Sequence, residues 1–89
     1  MNEDDRLVSE SQLPIAFLGS RNAGTFFGTS PAGGLGWGLG AGLGVKLGIS
    51  KARTICVVGD GAYMFGNPIP SHFVAASLDL PLLTIILNN

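Results

Sequence analysis

Two short apolar runs near the end of the chain set its architecture: Thr54-Ile-Cys-Val-Val58 and Leu82-Leu-Thr-Ile-Ile-Leu87. Each is apolar at consecutive rather than alternating positions and rich in β-branched residues. That pattern predicts strands buried on both faces, the habit of a parallel sheet covered by helices on each side. The residues between Val58 and Leu82 suffice for the crossover helix that parallel neighbours require. Within them, residues 71–79 predict a helix with Ile69, Phe73, Ala76 and Leu80 on one face, capped by Asn67 or Ser71. The predicted fold class is α/β, a partial parallel sheet with covering helices in three layers.

The earlier part of the chain is less regular. Residues 1–10 hold four of the six acids and read as a solvated start leading into a short strand around Leu7 and Val8. The run from Leu13 to Leu18 is interrupted by Pro14, which makes it an edge segment or a loop. Residues 19–31 are dense in Gly, Ser, Thr and Asn and predict an irregular loop, of the kind more often functional than idle.

From Ala32 to Ser50, glycine recurs at 34, 36, 38, 40, 42 and 44, and three readings compete. A membrane helix with a small-residue face would be barely long enough and is closed by Lys46. A nicotinamide-binding turn matches Gly36-x-Gly38-x-x-Ala41 but lacks the strand that should precede it. A loop entering a helix that packs very close to a cofactor or a neighbouring backbone accounts for the glycines best, since each costs up to ~1 kcal/mol against alanine.

Composition narrows the partners. The chain has 89 residues, at most one small domain. It is 46% hydrophobic and 12% charged, too few charges to solvate its own surface, so it is expected to pack against more protein. A net charge of −1 favours neither nucleic acid nor an anionic membrane. The polar, acidic first ten residues are no signal peptide. The single cysteine, Cys56, lies in a predicted buried strand and reads as a core residue of a reducing, cytoplasmic protein. His72, the only histidine, reads as a surface or hydrogen-bonded residue rather than a catalyst.

The chemistry gathers after the two apolar runs. If the strands are parallel, Asp60 and the Asn88-Asn89 pair emerge at one sheet edge, where open α/β sheets bind ligands. One carboxylate and one or two carboxamide oxygens are hard ligands, suited to Mg²⁺ or Ca²⁺. Gly59 and Gly61 free the backbone for a left-handed turn whose N–H groups form an anion nest, and a helix opening after Ala62 adds its field. The stretch is suited to a metal–diphosphate pair.

Gly59-Asp-Gly-Ala62, a span of intermediate length, Leu80-Pro81, a buried strand and then Asn88-Asn89 together resemble the diphosphate-binding motif of thiamine-diphosphate enzymes. The resemblance is greatest to the acetolactate synthase, benzoylformate decarboxylase and pyruvate decarboxylase superfamily. It implies the three-layer thiamin diphosphate-binding fold, with thiamine diphosphate and Mg²⁺ as cofactors. Asp60 and Asn89 are then the metal ligands, with the backbone around Gly59, Gly61 and Ala62 on the diphosphate. Asn88 is the alternative ligand, because the span is slightly longer than the family pattern. The insertion Asn67-Pro-Ile-Pro70 absorbs the difference.

Matching the family's glycine turn onto Gly33-Gly34-Leu35-Gly36 makes Leu35 the apolar wedge that bends the cofactor, with a carbonyl near Gly33 facing the aminopyrimidine. Trp37 packs or lines the substrate side, and Ser50 stands where the family commonly has proline. A strand followed by Glu just before the cofactor loop also resembles the family pattern. The resemblance covers residues 32–89, the cofactor-binding core; residues 1–31 are a lead-in segment and cofactor-site loop. It implies decarboxylation or carboligation of a 2-oxo acid by a homo-oligomer, a dimer or tetramer. It also implies a pyrimidine-binding domain carrying an activating glutamate. None of Glu3, Asp4, Asp5, Glu10, Asp60 and Asp79 is predicted to be buried in a way that suits that role, so the chain is expected to be a truncated piece, inactive alone. The alternatives are a fragment of a nicotinamide-dinucleotide-binding oxidoreductase and a glycine-rich membrane or assembly module.

Overall fold

The computed structural model describes residues 4–11, 24–28, 34–49 and 51–87. Four strands form one sheet: β1 (Arg6–Ser9), β2 (Phe26–Gly28), β3 (Thr54–Gly59) and β4 (Leu83–Leu87). Their order is β2-β1-β3-β4, and every neighbouring pair is parallel. Three helices accompany them: α1 (Gly38–Gly48), α2 (Asp60–Phe65) and α3 (Pro68–Ser77). The α/β class and the two C-terminal strands stand as expected.

β3 explains why its sequence is apolar without a break. Cys56 and Val58 point to one face, where they form a buried cluster with Val8 of β1 and Leu39 of α1. Trp37, Ala41, Val45, Tyr63 and Leu82 pack around that cluster. Ile55 and Val57 point to the other face and are buried with Leu7, and no described helix joins them. Each fully buried aliphatic side chain contributes about 1.5–3 kcal/mol of apolar burial, so the two faces of β3 are the main store of stability.

α1 lies close on this strand despite its weak helix formers. A Cβ on Gly38 would fall 2.8 Å from the Val58 Cγ1, so glycine there lets the helix approach the sheet, whereas one on Gly42 would sit in ordinary contact 3.5 Å from the Cys56 Sγ. Gly40, Gly44 and Gly48 face open space and have no such reason. At the carboxyl end, Lys46 is buried and its Nζ donates to the Ala52 carbonyl at 2.8 Å, a cation placed where the helix field favours it. No described helix is long and apolar enough to cross a membrane.

Four expectations need correction. Residues 19–31 are not irregular throughout, since Phe26–Gly28 pairs with β1; three residues are too few to show a period in the sequence. The start of the chain is not simply solvated, because Asp5 is buried and its carboxylate takes both Nε (3.1 Å) and Nη2 (2.6 Å) of Arg53. β1 lies between β2 and β3, which carries its polar flank into the interior.

β4 is not buried on both faces: it is an edge strand among the described residues, and Leu83, Ile85, Ile86 and Leu87 are exposed. Of the expected apolar face, Leu80 just past α3 is buried, but on the helix itself Ile69, Phe73 and Ala76 face outward, with Phe73 71% exposed. The inward positions are Pro68, Ser71 and Ala75, small residues that let the helix settle near α1. Asn67 does hold the N-cap position of α3, in a left-handed conformation, without a side-chain cap bond. The Leu13–Leu18 run lies outside the described residues.

α3 ends in a Schellman motif: the Leu80 N–H donates to the Ala75 carbonyl at 2.8 Å and the Asp79 N–H to the Ala76 carbonyl at 3.3 Å. Asp79 occupies the left-handed position at φ 52°, where glycine is usual. Asp79→Gly is therefore expected to raise stability by up to about 1 kcal/mol in denaturant titration. The thiol of Cys56 donates to the Gly38 carbonyl at 3.2 Å, and burial, then the nearby Glu10 charge, pushes its pKa from 9.0 up to about 11. The folded state thus holds a proton that the unfolded state releases between those values, so stability falls as pH rises from about 9 to 11. The loss is up to about 3 kcal/mol, and Cys56→Ala should flatten that limb of the stability–pH profile.

Candidate functional site

β3 and β4 end level with one another. The register pairs Val57 with Ile85, Val58 with Ile86 and Gly59 with Leu87. Adjacent strands lie about 4.8 Å apart. The chain leaves β3 directly into α2, whose first residue is Asp60, half-exposed at the carboxyl edge of the sheet. Asn88 and Asn89 follow Leu87 but lie outside the described residues, as does Gly33.

The geometry at Gly59-Asp60-Gly61 differs from the expected nest. Gly59 is extended (φ −76°, ψ 160°), and the glycines with positive φ among the described residues are Gly24 and Gly36. The strand passes straight into the first helical turn, whose N–H groups have no carbonyl one turn back to donate to. Helix α2 opens at Asp60 rather than after Ala62, and the Asp60 Oδ1 accepts from the Gly61 N–H at 2.9 Å. A Cβ on Gly61 would meet nothing within 4 Å, so the space beside the acid is open. Ala62 is half-buried in the same turn.

The second part of the site is the turn at Gly34-Leu35-Gly36. Leu35 is 58% exposed, an apolar side chain left in the open by a tight turn. Gly36 is left-handed at φ 93°, and a Cβ there would fall 2.9 Å from the Gly66 Cα. A Cβ on Gly66 would fall 2.7 Å from the Gly36 carbonyl oxygen. The turn therefore rests, backbone on backbone, against the far end of α2. Six helical residues span about 9 Å, which is the separation this contact fixes along the helix between the Leu35 turn and Asp60.

A third group was legible only as a strand followed by Glu before the cofactor loop, without its contacts. Glu10 is half-buried just beyond β1, and its Oε1 accepts from the Gly38 N–H at 2.7 Å while its Oε2 accepts from the Gly36 N–H. The acids were expected to lack buried settings, yet Asp5 and Glu10 both have them, and each carboxylate is taken up by protein donors. Glu10 fills the amino end of α1, so that helix terminus is closed to an external anion; at the start of α2 the Gly61 N–H is likewise taken, by the Asp60 carboxylate. Among the described residues no three His, Cys, Asp or Glu side chains cluster as a ready-made metal site. A hard cation at Asp60 would need oxygen ligands from elsewhere, as Mg²⁺ bound through phosphates commonly does.

A family model described as thiamine pyrophosphate enzyme, C-terminal TPP binding domain, matches residues 10–89. The chain belongs to that family. The match extends the likeness upstream of residue 32, through Glu10 and β2, and it displaces the nicotinamide and membrane readings of the glycine-rich stretch. The domain is one of thiamine-pyrophosphate-dependent enzymes, and its parallel sheet with Asp60 at the carboxyl edge fits a diphosphate-binding role. No individual curated protein matches the chain significantly.

Two further features lie away from the Asp60 edge. His72 is exposed, and its Nε2 is hydrogen-bonded to the Tyr63 hydroxyl at 2.6 Å, which ties α3 to α2. A cleft of about 340 Å³ runs between α1 and α3, walled by Leu39, Leu43, His72, Ala75, Leu80 and Leu82. Asp60 does not line it. The cleft is a seam between two helices, separate from the sheet edge that carries Asp60.

The contact between the Leu35 turn and α2 leaves no room for a methyl group. Gly66→Ala should cost about 1–3 kcal/mol of stability through overpacking, whereas Gly61→Ala, facing open space, should cost well under 1 kcal/mol. Thermal unfolding of the two variants side by side checks the contrast.

Proposed function

We propose that this domain anchors thiamine diphosphate through Mg²⁺ in an acetolactate synthase-like enzyme that decarboxylates or joins 2-oxo acids. The observation that carries the reading is the level ending of β3 and β4, with Asp60 opening α2 at the sheet edge beside an unobstructed Gly61. In this reading Asp60 supplies the carboxylate ligand of the metal and Asn89, or Asn88, a carboxamide oxygen. The N–H groups of the turn through Gly59, Gly61 and Ala62 meet the diphosphate.

The bound cofactor supplies the nucleophile and electron sink for breaking or forming a carbon–carbon bond next to a carbonyl. The chain's own residues bind and orient. Leu35, exposed on its turn, presses on the middle of the cofactor and holds it bent, while Gly33 and Gly34 leave the backbone close to the aminopyrimidine. Neither Asp5 nor Glu10 is free to move a proton on the cofactor, since each already holds protein donors. In this reading the activating glutamate comes from a pyrimidine-binding domain, as the family resemblance implies, and this domain alone does not turn over substrate.

Homo-oligomeric assembly in the cytoplasm belongs to the same proposal. Ile69 and Phe73 on α3, Met64 and Phe65 on α2, and the open β4 edge expose more apolar surface than a small domain normally leaves in water.

Calorimetric titration of thiamine diphosphate into the protein with its pyrimidine-binding partner tests the reading. Binding should require Mg²⁺, and Asp60→Asn should weaken it by at least about tenfold, the effect of losing a charged ligand. Binding that ignores both Mg²⁺ and Asp60 would sink the proposed anchoring role.

A further inference from the structure

We infer that Glu10 is a positioning residue for the cofactor wedge: its carboxylate clamps the Leu35 turn to the start of α1. The inference rests on the thiamine diphosphate reading above for the wedge role of Leu35, and on hydrogen bonds alone for the clamp.

Glu10 is itself held. Its backbone N–H donates to the Val57 carbonyl at 2.9 Å, so the residue extends the pairing of β1 with β3 one step past the strand. From that fixed point its two carboxylate oxygens reach two different N–H groups, Gly36 and Gly38, on either side of Trp37. A carboxylate accepting from backbone N–H groups makes charge-assisted bonds, about twice as strong as neutral ones. Gly38 is gripped from its other side too, because its carbonyl accepts from the Cys56 thiol. A Cβ on Gly38 would lie 2.6 Å from the Glu10 Oε1 and 2.8 Å from the Val58 Cγ1, so the carboxylate sits in the space that a side chain there would need.

Leu35 immediately precedes the clamped Gly36, whose backbone also rests on Gly66. Without the carboxylate, Gly36 keeps only that van der Waals support and regains the conformational freedom of a glycine at positive φ. The turn would then sample several positions, and the side chain it presents to the cofactor would move with it. Three glycine-rich residues thus gain a rigidity that their own sequence cannot supply, from a carboxylate 26 residues upstream.

The test uses Glu10→Gln, which keeps shape and volume but offers one acceptor oxygen and turns an NH₂ toward the other N–H. In the wild type, the Gly36 and Gly38 amide protons should resonate downfield and exchange slowly with solvent. In Glu10→Gln at least one should lose both properties while the rest of the spectrum stays folded. Glu10→Asp, one methylene short, should also lose one of the two bonds and serves if the glutamine variant folds poorly. Thiamine diphosphate affinity should fall about tenfold in Glu10→Gln.

A double-mutant cycle with Leu35→Ala separates positioning from general structure. If Glu10 acts through Leu35, the double variant binds about as weakly as the weaker single variant, whereas a merely structural role gives additive losses. Unchanged Gly36 and Gly38 amides in Glu10→Gln overturn the clamp, and additive losses overturn the positioning role. Failure of the wild type, with its pyrimidine-binding partner present, to bind thiamine diphosphate in the presence of Mg²⁺ overturns the cofactor reading on which that role rests, and leaves the amide result to judge the clamp.

Discussion

The backbones of Gly36 and Gly66 touch, with no room for a side chain on either, and the site takes its dimensions from that contact. One glycine belongs to the turn before α1 and the other to the end of α2. Since α2 begins at Asp60, one short rigid helix sets how far the turn stands from the acid. The sheet fixes the other end of the same ruler, because β3 runs without interruption into α2 and is buried on both faces. A ligand that bridges the acid and the turn meets two points whose spacing is built into main chain rather than into flexible side chains.

The parallel strands β3 and β4, and the emergence of an acid at their carboxyl edge, were legible because continuous β-branched runs and a Gly-Asp-Gly break are strong local signals. The helix after the glycine turn was legible from its regularly placed glycines, of which Gly36 and Gly38 have contacts too close for a side chain, while Gly34, Gly40 and Gly44 face open space. What was hidden depends on distant partners. Glu10 was legible only as the Glu of a strand-then-Glu segment before the cofactor loop, and nothing local shows that β1 will deliver its carboxylate to the amino end of α1. Asp5 was masked in the same way by its ion pair with Arg53, 48 residues away. β2 is three residues long and exposed, too short to carry a pattern at all.

The outward face of α3 carries a different lesson. A helical period of large apolar residues predicts which positions share a face, and not which way that face points. Here Pro68, Ser71 and Ala75 turn inward because the gap beside α1 suits small side chains, and Ile69 and Phe73 are left facing water. The low charge of the chain gives the same message from composition, a surface made to be covered.

On the proposed reading, the metal of the cofactor sits on Asp60 at the carboxyl edge of the sheet. Replacing Mg²⁺ by Mn²⁺ in the thiamine diphosphate complex and locating it by anomalous diffraction tests this most directly. The account predicts one strong peak about 2.0–2.2 Å from an Asp60 carboxylate oxygen, with a carboxamide oxygen from the residues just past β4 in the same coordination shell. A peak lying instead in the cleft between α1 and α3, or diphosphate bound with no metal near Asp60, would contradict it.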